Sequence, residues 1–152
     1  MKQVIVSVGK RHDADIADAI EDFTARLGRE VPTAWHFIRP SGADELTARR
    51  LESEAVMNYI QTGDLVVVLD ERGSEMNSET LASMYDDWLV RHDRVVFVIG
   101  GAHGVDSHLL HRADVIWALS KLVFPHQLVR LILTEQLYRA RMISKGHPYH
   151  HS

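Results

Sequence analysis

The chain has 152 residues, 45% of them hydrophobic and 25% charged, and a net charge of −4. That length and balance suit a single α/β domain over residues 1–152 with a real core, and the lack of cysteine excludes disulfides and thiolate metal sites. No apolar run reaches the length of a bilayer span, and the N-terminal run is too short for a signal peptide, so a cytoplasmic protein is expected.

Strand and helix patterns alternate along the chain. Residues 3–8 (QVIVSV) form a β-branched run that stops at Gly9, a first strand. Residues 13–27 place Ile16, Ile20, Phe23 and Leu27 on one helical face, with Gly28 set to end the helix. Residues 33–39 read as a second strand, stopped by Pro40-Ser41-Gly42. Residues 44–60 are helical in pattern, with Leu51, Ala55 and Tyr59 on one face. A third strand covers residues 64–69 (DLVVVL), and its continuous apolarity predicts burial on both faces of a parallel sheet.

Residues 70–77 read as a polar loop in which the adjacent carboxylates Asp70 and Glu71 suit a cap or a solvated turn. Ser78 is placed to cap a helix carrying Leu81, Met84, Tyr85 and Trp88. Residues 94–99 form a fourth strand, 106–113 a short helix and 115–119 a fifth strand. Residues 125–143 form the last helix, with Pro125 in its first turn. Strands separated by helices predict βαβ units, a mostly parallel sheet and helices on both of its faces.

In such sheets the ligand site lies beyond the carboxyl ends of the strands. Here those ends are Leu69-Asp70, Ile99-Gly100-Gly101 and Leu119-Ser120-Lys121. Gly100, Gly101 and Gly104 form a GGxxG turn, which is not the GxGxxG dinucleotide fingerprint, and there is no Walker A motif. Glycines at this point admit close approach of a ligand to the main chain, although an ordinary tight turn has the same composition. The segment Leu119, Ser120, Lys121, Leu122, Val123, Phe124 is too apolar for a solvent loop. It either joins the core or lines a pocket for a flat apolar group such as adenine.

Charge is distributed unevenly. Residues 121–152 contain five Lys or Arg and one acid, while residues 1–120 contain 12 basic and 20 acidic residues. A basic last helix can face a polyanion, or simply be a solvated surface. His108 and His111, and His147 and His150, are spaced i, i+3, but no carboxylate cluster completes either pair, so no metal is expected.

The ordered set IGGxxG, LSKLVFPHQLVR, EQLYRA and HPYH, with VG after the first strand and VVLD in the third, resembles the ribosomal RNA large-subunit methyltransferase H family over essentially the whole chain. That family is similar to other SPOUT methyltransferases. The resemblance implies S-adenosylmethionine as methyl donor and a deep C-terminal trefoil knot. It also implies a homodimer with sites near the subunit interface, and N3 of a pseudouridine in the 23S rRNA of the ribosome as target. Leu69, Gly100 and the segment 119–124 are the implied cofactor contacts, and Gly101 and Gly104 complete the turn. Arg141 stands where some members have tryptophan.

Removing the ring N3 proton calls for a base or an anion-stabilising group, and His126, His147, His150 and Tyr149 are the titratable candidates. Arg139 and Arg130 can hold phosphate or stabilise charge on the ring carbonyls, and Tyr149 can stack on the target. Each also has a structural reading: Arg130 pairing with Glu135, His126 capping the last helix, Tyr138 packed in the core. A non-catalytic nucleotide-binding domain would explain the pocket but not the basic helix or the tail. A nicotinamide oxidoreductase would need the missing fingerprint.

Overall fold

The computed structural model describes residues 2–151, so Met1 and Ser152 lie outside it. Five strands and five helices alternate. They are β1 (Lys2–Val8), α1 (Ala14–Glu30), β2 (Thr33–Ile38), α2 (Glu45–Tyr59), β3 (Leu65–Ser74), α3 (Ser78–Arg91), β4 (Arg94–Ile99), α4 (Ser107–Arg112), β5 (Val115–Trp117) and α5 (His126–Ser144). The strands form one sheet in the order β2-β1-β4-β3-β5, and every pairing is parallel.

Alternation along the buried strands sends successive side chains into two cores. Ile5, Val67, Val95, Phe97 and Ile99 pack under α1, α3 and α5, against Leu27, Tyr85, Trp88, Leu133 and Leu137. Val4, Val6, Val66, Val68, Val96 and Val98 pack under α2 and α4, against Val56 and Leu109. The expected α/β class, the parallel sheet and the helices on both faces are therefore present.

Local details differ from expectation. Gly28 does not end α1, which runs on to Glu30 and is closed at Val31. On α2 the buried positions are Ala48, Glu52, Ser53 and Val56, while Leu51 is 42% exposed. This face packs against a polar turn as well as the sheet, so it does not read as apolar. Asn77, not Ser78, caps α3 through a 2.8 Å bond from the Thr80 amide. The Ser78 hydroxyl instead donates to Gln136 on α5. Pro125 is the N-cap of α5 and not part of its first turn.

The largest departure is β3. It continues through the polar residues 70–74, where Ser74 pairs with Trp117 and its carbonyl accepts from the Ala118 amide. A Cβ at Gly73 would lie 2.4 Å from the Ile116 carbonyl oxygen, so only glycine lets these two segments approach so closely.

Candidate active site

Three chain segments meet at the carboxyl ends of β3, β4 and β5. A pocket of about 800 Å³ opens there, lined by Leu69–Arg72 residues, the 99–105 turn and the 119–126 segment, with Arg49 and Glu45 from α2 and Val129 from α5. It brings together Leu69, Gly100, Gly101, Gly104, Leu119, Ser120, Leu122, Val123, Phe124 and His126. Lys121 is exposed and does not line it.

The turn is closed by a Gly104 amide bond to the Gly101 carbonyl, and Gly104 has φ +75°, a left-handed conformation that favours glycine. The Cβ direction at Gly100 points to Val105 Cγ1, 3.1 Å away, so a side chain there would disturb the turn itself. The turn rests on α2. Arg49 Nε donates to the His103 carbonyl at 2.8 Å, the Asp106 amide donates to Ser53 Oγ at 2.9 Å, and Glu52 lies against Gly101.

The pocket has two characters. Leu69, Ile99, Leu119, Phe124 and Val129 give it apolar walls, and Leu122 and Val123 stand at its lip, 71% and 78% exposed. Asp70, Glu71, Arg72 and Arg49 give it a charged side. Asp70 is not a solvated turn residue: its side chain is 6% exposed and held by Arg72 Nε at 2.8 Å and Nη2 at 2.7 Å. That bidentate pair holds the Asp70 carboxyl below its usual range. Sequence reading missed this side because two adjacent acids followed by arginine look like any exposed loop.

Of the catalytic candidates only His126 lies at the pocket. His126, at the first turn of α5, lines the pocket, does not cap the helix, and is held below the usual histidine range by burial and by the nearby Arg130. Arg139, Tyr149 and His150 cluster at the opposite end of α5. Thirteen helical residues separate Arg139 from His126, about 20 Å at 1.5 Å per residue. Gly146, φ +69°, turns the chain back along the helix, and the His147 amide bonds to the Met142 carbonyl.

Tyr149 then meets Tyr138 edge-on at 5.0 Å, lies under the Arg139 guanidinium at 4.9 Å and donates its hydroxyl to Glu135 at 3.1 Å. Burial and Glu135 raise its pKa. Arg139 Nη1 can only donate to His150 Nδ1, so the His150 Nε2–H donates to Glu79, the neutral tautomer. His147 is exposed, and its Nδ1 accepts from the Tyr149 amide. Tyr138 is half-buried between Phe23 and Tyr149, not deep in the core.

The basic helix is not a free cationic face. Arg139 pairs with Glu135, Arg141 with Asp86 on α3 at 2.7 Å, and Lys145 with Glu30 on α1 at 3.0 Å. Arg130 does not pair with Glu135. It is fully buried, donates to Ser7 Oγ at 2.9 Å, lies over the Phe37 ring and has no carboxylate partner among the described residues. Among the described residues no group of three or more His, Asp or Glu could hold a metal ion, and no helix is long and apolar enough to cross a membrane.

A doubly covered parallel sheet with a pocket walled by the segments after three of its strands has the architecture of α/β proteins that hold small ligands at that edge. Residues 1–150 match the model of a family described as predicted SPOUT methyltransferase. Three curated relatives are each named ribosomal RNA large subunit methyltransferase H. The one from Acetivibrio thermocellus is 40% identical, that from Thiobacillus denitrificans 39%, and that from Neisseria meningitidis serogroup C 36%, with 99% of both chains covered in every case. The chain belongs to the SPOUT methyltransferase family.

Proposed function

We propose that this protein transfers a methyl group from S-adenosylmethionine to N3 of a pseudouridine in 23S rRNA, acting on the ribosome as a homodimer. The observation that carries the reading is the strand-end pocket. Its apolar walls suit a flat adenine, its glycine turn suits close approach to a ribose or a sulfonium chain, and its charged side suits an amino-acid end. The relatives named as ribosomal RNA methyltransferases over their full length support the substrate class. A C-terminal trefoil knot and a cytoplasmic location go with the same reading.

The residues present fit this methyl donor. Leu69, Ile99, Leu119, Phe124 and Val129 would hold its base, and the main chain of residues 100–104 would hold its middle. S-adenosylmethionine supplies an electrophilic methyl on a sulfonium centre. The chain's task is then alignment, exclusion of water and management of the N3 proton.

The length of α5 supports the homodimer reading. Arg139 stands ten helical residues, about 15 Å, beyond Val129 in the pocket of its own chain, and Tyr149 and His150 pack around it. If they touch the substrate, they do so at the pocket of a second copy. The test is transfer of label from S-adenosylmethionine to ribosomes lacking this modification, with the methylated position mapped. Ribosomes left unlabelled, under conditions where the protein binds the donor, would refute the reading.

A further inference from the structure

A second pocket, about 480 Å³, lies across the 101–103 turn from the first. Gly9 and Lys10 after β1, Ser41 after β2, Glu52 on α2 and His126 on α5 contribute to its walls. Both pockets share Gly101, Ala102, His103, Pro125 and His126, so the two spaces adjoin along one turn.

Two buried polar atoms without hydrogen-bond partners among the described residues lie close by, one on Glu52 in the pocket wall and one on Arg130, which does not line the pocket. Glu52 is 4% exposed. Its Oε2 accepts from the Ser41 amide at 2.9 Å, but its Oε1 has no partner and abuts Gly101. Arg130 is fully buried, and its Nη2 has no partner and abuts Gly9 beside His126. A buried carboxylate oxygen and a buried guanidinium nitrogen left unsatisfied both oppose folding, which gives value to a ligand that meets them. The required ligand donates toward Glu52 and places acceptor oxygens toward Lys10 and His126, with the Arg130 charge behind. A uracil-type ring carries an N–H flanked by two carbonyls and has that pattern.

We propose that this second pocket receives the target ring and that Glu52 accepts its N3 proton. The assignment rests on the methyltransferase reading above. The N3–H bond breaks and its proton passes to the Glu52 carboxylate. The nitrogen pair forms the bond to the methyl carbon, and the carbon–sulfur bond breaks with its pair returning to the sulfur of the donor. Glu52 releases the proton to water when product leaves. Charge that develops on the ring falls on carbonyl oxygens next to Lys10 and His126. The other charged or titratable groups around Glu52 are Glu45 and Arg49 on its own helix, His103 on the turn, and Asp13 at the start of α1.

The experiment compares wild type, Glu52→Gln and Lys10→Ala as full-length protein. It measures single-turnover methyl transfer to unmodified ribosomes across pH, and S-adenosylhomocysteine affinity by calorimetry. Glu52→Gln is expected to slow transfer on the order of 10²-fold, with ligand affinity within about three-fold of wild type. Lys10→Ala, an exposed change, is expected to raise the ribosome concentration needed for half-maximal rate while ligand affinity stays unchanged. Glu52→Gln at the wild-type rate overturns the assignment alone. So does a rate loss matched by an equal loss of ligand affinity, which would make Glu52 a support for the turn. Wild type that binds the ligand but labels no ribosomes overturns the functional reading and this assignment together.

Discussion

Replacing Gly73 by alanine tests whether the crossing of β3 and β5 sets the pocket. A Cβ at this position would lie 2.4 Å from the Ile116 carbonyl oxygen, 2.5 Å from its carbon and 2.8 Å from the Trp117 nitrogen. All three are backbone atoms, so no side chain can swing away. Restoring ordinary contact needs a shift of roughly 1 Å in one of the two segments. Overpacking of this kind costs about 1–3 kcal/mol, and in a domain of this size each kcal/mol lowers Tm by about 2–4 °C. Gly73→Ala is therefore expected to lower Tm by roughly 2–12 °C. Because β5 leads directly into Leu119–Phe124 residues that line the pocket, S-adenosylhomocysteine affinity should fall with it, by at least about ten-fold for a 1 Å misplacement. Calorimetric melting and titration measure both. Gly28→Ala is the control: its Cβ meets nothing within 4 Å and it lies inside α1, so it should raise stability by about 0.5–1 kcal/mol. A Gly73→Ala protein with wild-type Tm and affinity would refute the reasoning.

Removing residues 147–152 should leave S-adenosylhomocysteine affinity within about three-fold, because the tail lies at the far end of α5, and abolish transfer to ribosomes; full transfer by a folded, dimeric truncation would exclude a role for the tail. Arg139→Ala removes contacts to Glu135, His150 and the Tyr149 ring, and should slow transfer by roughly ten-fold or more, whereas Arg50→Ala, at an exposed helical pair, should change it little in the same assay. Sedimentation at micromolar concentration should show a dimer, and a fully active monomer would contradict the trans arrangement. The pKa values of His12 and His126 are lowered in the fold, by burial first and Arg130 second. The unfolded chain then binds more protons as pH falls through about 6.5, so Tm should be level above that pH and drop below it. His126→Gln should reduce the drop; an unchanged profile would show that the histidines do not set it.

β1, β4 and the first half of β3 were legible because they are buried on both faces and read as nearly unbroken apolar runs. The Leu69, Gly100 and Leu119 strand ends were legible because topology places ligands there. Strand order was not, since the pairing of β1 with β4 joins residues about 90 positions apart and leaves no local trace. The 70–74 extension was read as a loop because its hydrogen bonds to residues 117–118 are made by main chain, whatever the side chains. Glu52 and Ser53 escaped notice because they are polar residues buried against a turn. The neutralisation of the α5 cations is not legible in the sequence, because Asp86 and Glu30, which pair with Arg141 and Lys145, come from helices distant in sequence.

The position of β1 also bears on how the chain is made. β1 sits between β2 and β4, so its second neighbour does not exist until Ile99 has been added. An emerging N-terminal half has only two strands to pair, too few for an independently stable sheet. Closure of the sheet therefore waits for β4, with the slow, non-local contacts typical of parallel sheets. The strand-end pocket needs β3, β4, β5 and the start of α5, and so it arises in that same closing event. A methyl donor already abundant in the cell would then select finished chains, adding RT ln(1 + [L]/Kd) to the stability of molecules that have completed the sheet and nothing to those that have not.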